Sequence, residues 1–313
     1  MSVIGIDLGG TKIAAAVFAE NGEMSHQRVV PLAGASGKQV GEMIAQMTLQ
    51  LLSHTEAKAV GISVPGIAHV KQGTVWAPNI PGWESFPLVR ELTQKLEAHK
   101  LWITMDCDRA CYIQGERWLG RAKGCPNAIF LAVGTGIGAG ILVDGNVLRG
   151  SQDIAGAVGW LALSQSFKPA YEACGDFEHH ASGPGLVRIA QDLLHDTPSY
   201  QGSLRGVSEW DARVIFAAYE RGDTLAAAVL EQAIAYWGRG VANLISIFNP
   251  EKIIFGGGVF GPASKFLTRI TEEARRWAQP ISMQQVSLEV SALGGNAGLV
   301  GAGYLALQTM TSP

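Results

Sequence analysis

Short apolar runs that stop at glycine punctuate this chain. Val3–Leu8 reads as a buried strand entering Gly9-Gly10-Thr11. Ala14–Ala19 predicts a second strand, and Asn21-Gly22 marks a hairpin, because both central positions of that turn need φ > 0. Val40, Met43, Ile44, Met47 and Leu51 fall at helical spacing within 38–53. A strand at Ala59–Val64 ends in Pro65-Gly66. Leu88, Val89, Leu92 and Leu96 mark a helix, Leu101–Met105 a strand, and 109–118 a further helix. The plan then repeats. A strand at 128–133 enters a glycine turn spanning Gly134, Gly136, Gly138 and Gly140, followed by Ile141–Val143 and the hairpin signal Asp144-Gly145-Asn146. Strand, glycine turn, strand and hairpin occur twice, which predicts a duplication and two like-folded α/β domains facing each other. Residues 196–210 read as a surface loop. A long amphipathic helix is expected over 224–248, a strand at Lys252–Phe255 before Gly256-Gly257-Gly258, a last strand at Val286–Val290 and a closing helix over 296–308.

Composition narrows the function classes. A chain of 313 residues is comfortable for two domains. Its net charge of −3 gives no electrostatic case for nucleic acid or an anionic membrane. No apolar run reaches the roughly 18 residues of a spanning helix. The N-terminus carries no basic segment ahead of an apolar one. Cys107, Cys111, Cys125 and Cys174 form no CxxC pair. A cytoplasmic protein that binds neither membrane nor nucleic acid is the expectation.

The glycine turns carry the candidate chemistry. Without a Cβ, such a turn lets backbone N–H groups approach an anion. Gly9 and Gly10 form one candidate phosphate cradle, and Gly134, Gly136 and Gly138 a second. Thr11 and Thr135 add hydroxyl donors, and Lys12 follows the first. Asp7, at a strand end, is placed to hold Mg²⁺ through water, since that ion keeps several of its waters. Gly256, Gly257 and Gly258 would let a flat base approach the backbone.

Taken together, Asp7-Leu8-Gly9-Gly10-Thr11-Lys12, Val133–Gly140, Phe255–Val259 and Ala292–Ala302 resemble, in order and spacing, the phosphate, adenosine and C-terminal motifs of the ROK family in the actin-like ATPase superfamily. The resemblance runs through essentially the whole chain. It implies two actin-like (ribonuclease H-like) domains with a cleft between them, here 1–117 plus 300–313 as the small domain and 118–299 as the large one. It further implies ATP and Mg²⁺ as cofactors, a small-molecule sugar as substrate and a homodimer. The family's catalytic base is the Asp of an Asn-Asp-Ala-Asn segment closing with Gly-Glu. Met105-Asp106-Cys107-Asp108-Arg109-Ala110-Cys111 followed by Gly115-Glu116 puts Asp108 there, with Asp106 a rival by residue type.

The sugar-side positions depart from that pattern. Gly66, Asn79 and Glu178 match sugar-binding positions. The family's Asn before the base is Cys107, its Glu-x-Gly-His segment has become Ala157-Val158-Gly159-Trp160, and its cysteine-rich zinc loop is missing. A zinc-free, divergent sugar kinase is therefore expected. Trp160 either covers the C–H face of a sugar or fills the space the zinc loop left. The competing reading is a sugar-sensing regulator without turnover. The family's repressors carry a DNA-binding segment ahead of the first strand, which here begins at Val3, so a regulator of this kind is expected to lack one.

Overall fold

Two five-stranded sheets of identical strand order make up the molecule, and the computed structural model describes residues 1–311. In the first, β1 (Ser2–Leu8), β2 (Lys12–Ala19) and β3 (Met24–Pro31) form an antiparallel meander. Helix α1 (Lys38–Leu52) leads to β4 (Ala59–Val64), parallel to β1. A small ribbon, β5 (Ile67–His69) with β6 (Thr74–Trp76), and helix α2 (Leu88–Lys95) precede β7 (Trp102–Cys107), parallel to β4. The order is β3-β2-β1-β4-β7. β4 is buried along its whole length, as a central parallel strand covered on both faces must be.

Helix α3 (Asp108–Leu119) passes to the second sheet. There β8 (Ala128–Val133), β9 (Ile137–Val143) and β10 (Asn146–Val147) repeat the meander. Helices α4 (Asp176–Ala181), α5 (Gly183–Asp196), α6 (Ala212–Glu220) and α7 (Thr224–Phe248) follow. Then come β11 (Lys252–Gly256), helices α8 (Leu267–Arg275) and α9 (Pro280–Gln285), and β12 (Ser287–Val290). Both strands run parallel to β8, and the order is β10-β9-β8-β11-β12. The duplication expected from the glycine turns is thus a duplication of topology. Among the described residues no helix is long and apolar enough to cross a membrane.

Local chemistry accounts for the long helix. Asp223 caps α7, accepting from Leu225 N at 3.0 Å and Ala226 N at 3.1 Å, and Asn249 ends it in the left-handed region. The apolar stripe of α7 is spent within its own lobe, where Val229, Ala233, Trp237, Val241 and Leu244 join the core over β8, β9 and β11.

The closing helix α10 (Ala297–Thr311) returns to the first sheet, where Leu299, Val300, Ala306 and Leu307 pack on Val3, Ala16, Phe18 and Ala59. Residues 312 and 313 of the expected 300–313 segment lie outside the described residues.

Two expectations need correction. The second glycine turn ends at Gly136, because β9 already starts at Ile137; Gly138 and Gly140 are strand residues paired with Ala132 and Phe130. The 196–210 segment is irregular but not superficial. Leu204 is fully buried, and Tyr200 inserts beneath the loop with its hydroxyl between Asp223 and Leu204 N.

Close backbone packing yields a stability prediction. A methyl group on Gly61 of β4 would stand 2.0 Å from the Ala302 carbonyl oxygen of α10, an atom that cannot swing aside. Gly61→Ala should destabilise the fold by about 1–3 kcal/mol, read as a lower urea midpoint at unchanged slope. Gly206→Ala, where nothing lies within 4 Å of the added atom, is the matched control and should leave the midpoint in place.

Candidate active site

The first glycine turn joins β1 to β2 and is closed by Gly9 N–H donating to Lys12 O at 2.9 Å. Asp7, the penultimate residue of β1, lies in register with Ser63 of β4. Asn79 sits in a turn whose Ala77 N–H donates to Trp83 O at 2.8 Å, and buried Trp83 anchors that turn by donating its indole N–H to Gly37 O. Its amide overlies the first turn: a Cβ at Gly10 would come 2.9 Å from Asn79 Nδ2. Thr11 and Lys12 are exposed beside it.

The second turn is braced from both sides. Gly134 N–H donates to Gly136 O at 2.9 Å, Gly183 N–H to Gly134 O at 2.8 Å, and Ile137 N–H to Glu178 Oε2 at 2.6 Å. Glu178, on α4, therefore lies against this turn, with Thr135 exposed at its tip. Burial raises the Glu178 pKa, while the Ile137 N–H and Arg188 oppose that shift. The third turn adjoins the second, since a Cβ at Gly134 would lie 3.8 Å from Gly258 N. Its glycines differ in purpose. Side chains at Gly256 or Gly257 would strike Phe130 and the Val133 carbonyl, so these two admit close packing onto β8. Gly258 faces open space.

Asp108 opens α3 directly after the end of β7. Its Oδ1 accepts from Arg109 N at 2.8 Å, and the Tyr112 hydroxyl stands 3.5 Å from Oδ2. Burial raises its pKa, with the Arg109 charge as the largest opposing influence. The rival carboxylate is committed elsewhere. Asp106, 2% exposed, accepts both prongs of the Arg149 guanidinium at 2.7 and 2.6 Å and the N–H of Cys107. Asp7 lies within electrostatic reach of Asp108. Burial lifts its pKa to about 6; contact with the Ser63 hydroxyl lowers it, the Asp108 charge adds to the rise and Lys12 opposes it. Cys107 and Cys111 are buried free thiols, and burial pushes the Cys107 pKa up to about 11, so neither is a nucleophile near neutrality.

Trp160 ends a short 3₁₀ turn over Val158–Trp160 and is 57% exposed, so it does not fill the space of a missing loop. The segment that follows is braced by a polar network. Buried Asp176 accepts from Leu163 N and Ser164 N at 2.6 Å and from Ser164 Oγ at 2.7 Å. Tyr236, Tyr171 and His180 complete it through the Ser164 hydroxyl and a 2.9 Å Tyr171–His180 bond. Burial first, and then His179, lowers the His180 pKa to about 4, so this ring is neutral at pH 7. Among the described residues no group of three or more His, Cys, Asp or Glu is arranged to hold a metal ion.

A family model, ROK family, matches residues 3–309. The chain belongs to the ROK family. It is 30% identical to a glucokinase of Halalkalibacterium halodurans, over 99% of this chain and 96% of that relative. It is also 30% identical to a xylose repressor of Caldicellulosiruptor bescii, over 99% of this chain and 79% of the repressor. Among solved structures, a ROK family glucokinase from Streptomyces griseus in complex with glucose and AMPPNP superposes with a TM-score of 0.78 at 30% identity, covering 98% of this chain and 100% of that one. The two lobes of this ROK protein are accordingly its two actin-like domains.

Three residues of the site escaped the sequence reading. Arg149 and Ser63 are brought in by strand register and carried no local signal. Arg109 did carry one, a cation beside the base position, and its side chain lies along Gly138 with Nη2 3.4 Å from Gly66 O.

The raised Asp7 pKa has a definite consequence for stability. The folded state holds this proton more tightly than the unfolded chain, whose pKa is near 3.8. The group's contribution is therefore most favourable below pH 4 and is lost as pH rises through about 6. Asp7→Asn should raise the thermal midpoint by about 2–4 °C at pH 7–8, and this gain over wild type should shrink toward pH 4. A gain independent of pH would refute the assignment.

Proposed function

We propose that this chain transfers the terminal phosphoryl group of ATP to a hydroxyl of a sugar or sugar derivative, with Asp108 as the general base. The observation that carries the reading is the contrast between the two neighbouring acids. Asp106 is locked by Arg149, whereas among the described residues Asp108 has no ion-pair partner within 4 Å and lies close enough to Asp7 to perturb it.

The chemistry follows from the site. Backbone N–H groups of the two turns beyond Gly9 and Gly134, whose own N–H groups close the turns, receive the polyphosphate, and the open backbone at Gly258, beside Gly134, receives the nucleoside. Gly66, Asn79, Trp160 and Glu178 border the acceptor. Glu178 is oriented by the Ile137 N–H, which leaves its Oε1 for a sugar hydroxyl. The acceptor proton passes to the Asp108 carboxylate, which the Arg109 N–H and Tyr112 hydroxyl hold in place. Burial makes this carboxylate a stronger base than an exposed one. Asp7 fits Mg²⁺ held through water: it is a single carboxylate at a strand end, and Mg²⁺ takes its remaining ligands from water and phosphate. When bound, the ion neutralises charge on the transferring group. Closure of residues 1–117 with 300–313 onto 118–299 would exclude water from the reaction. No zinc is needed in this scheme, because the Asp176 network already braces the segment. We extend the proposal to a homodimer working in the cytoplasm, on the family resemblance alone.

The xylose repressor match keeps a sugar-sensing regulator as the second reading. The two separate on turnover. An ADP-release assay across hexoses and amino-sugars should show ATP-dependent phosphorylation. Asp108→Asn should lower kcat by about 10²–10⁴-fold while sugar-induced thermal stabilisation persists. Stabilisation by sugars without turnover in wild type would favour the sensor.

A further inference from the structure

One charged side chain on the cleft floor is left unused by this scheme. Arg109 follows the base, runs across Gly138 on β9 of the second lobe, where a Cβ would meet its Cδ at 2.7 Å, and reaches Gly66 of its own lobe. Its side chain thus lies between β9 and the turn that follows β4, on the acceptor side of the cleft. A guanidinium carries five N–H donors, yet here it makes a single long contact, Nη2 to Gly66 O at 3.4 Å. Its Nε is buried with no hydrogen-bond partner. Among the described residues no carboxylate lies within 4 Å of it. Of the acids lining the interlobe crevice, Asp106 is gripped by Arg149 and Asp153 faces His69 at 3.9 Å, while the adjacent Asp108 feels the Arg109 charge without an ion pair to its guanidinium. The facing segment, residues 155–159, reads Ala-Gly-Ala-Val-Gly and offers no acid either.

Arg109 is half-buried, but a cationic N–H shut off from water and left without an acceptor, as its Nε is, is costly unless a ligand completes the fork. A planar fork of N–H groups matches a carboxylate or phosphate in two-pronged fashion. A neutral hydroxyl can accept from one of these N–H groups, but it supplies neither the matched pair of acceptors nor the opposite charge. Taking the kinase reading as given, we infer that Arg109 is a specificity-determining residue that binds an anionic group on the acceptor, so that the preferred substrate is a sugar acid or a sugar phosphate rather than a neutral hexose.

The test compares matched acceptors on the full chain. Glucuronate and gluconate supply the carboxylate arm, glucose 6-phosphate and glucose 1-phosphate the phosphate arm, and glucose the neutral reference. Wild type should turn over one anionic arm with kcat/KM at least about tenfold above glucose. Arg109→Gln should lower kcat/KM for that acceptor by about 10–100-fold, mainly through KM, so that the anionic-to-neutral ratio collapses. Arg109→Lys should restore part of the ratio. If glucose is preferred by wild type, or if Arg109→Gln depresses charged and neutral acceptors equally, Arg109 is a strut between lobes or a phosphoryl contact and the inference is overturned. If no acceptor is phosphorylated, the kinase reading falls by itself, and thermal shift with AMPPNP present decides the inference. Stabilisation by an anionic sugar in wild type but not in Arg109→Gln upholds it; stabilisation by none, or equally by glucose, overturns it.

Discussion

Backbone pressed against backbone along α3 fixes where the chemistry can occur. A Cβ at Gly140 would sit 1.9 Å from the Arg109 carbonyl oxygen, one at Gly301 would sit 1.8 Å from that of Cys111, and one at Gly115 would sit 2.5 Å from that of Ala297. No layer of side chains separates α3 from β9 on one side or from α10 on the other. Its ends are pinned as well. Asp106, just before α3, holds Arg149 of the second lobe, and Glu116 near its far end accepts the Arg121 N–H at 2.7 Å and the Ser291 hydroxyl. Asp108 therefore rides on an element with almost no freedom to slide. A base carried by a rigid element keeps its geometry while the substrate comes and goes.

That constraint also explains which parts of the molecule were readable in the chain. The duplicated strand–turn–strand pattern was legible because buried parallel strands are continuous apolar runs, and β1, β4, β8 and β11 all are. β3 was signalled only by its hairpin, since Met24–Pro31 is mostly exposed and polar, as an edge strand can be. Gly138 and Gly140 looked like the continuation of a phosphate turn. In a sequence, a glycine that admits an anion and a glycine that admits a helix are the same letter. The helices α4 to α6 went unread although α5 buries Leu186, Ile189 and Ala190 and α6 buries Ile215, Phe216 and Ala218 at helical spacing; what the spacing alone could not show is the Asp176 and Tyr200 contacts that join the region across 13 and 23 residues.

The choice between Asp106 and Asp108 shows the same limit from the other side. Spacing to Gly115-Glu116 favoured Asp108, and no local feature explained what Asp106 was for. The explanation lies in Arg149, which the crossing from the first lobe to the second places opposite. Removing Arg149 would leave the buried Asp106 charge uncompensated, so Asp106 is held to structure, while Asp108 two residues on has no ion-pair partner among the described residues. Arg109 was hidden for a related reason: its direction is set by the absence of a side chain at Gly138, on a different strand.

The electrostatics of the cleft then become a single problem with one sign. Burial raises the pKa of both Asp7 and Asp108, and the charge of Asp108 pushes that of Asp7 further up. Bringing a polyphosphate beside them adds more negative charge to a region that already disfavours it. Lys12 is exposed and acts on Asp7, while Arg149 is spent on Asp106. The Arg109 charge opposes the rise that burial gives the Asp108 pKa, yet its fork is not consumed in doing so because the two groups do not form an ion pair. A cation that stabilises its neighbour at a distance and keeps its own donors open can serve the base and a ligand together. This dual use is consistent with an arginine rather than a lysine at this position, since a point charge would satisfy the first demand but not the geometry of the second.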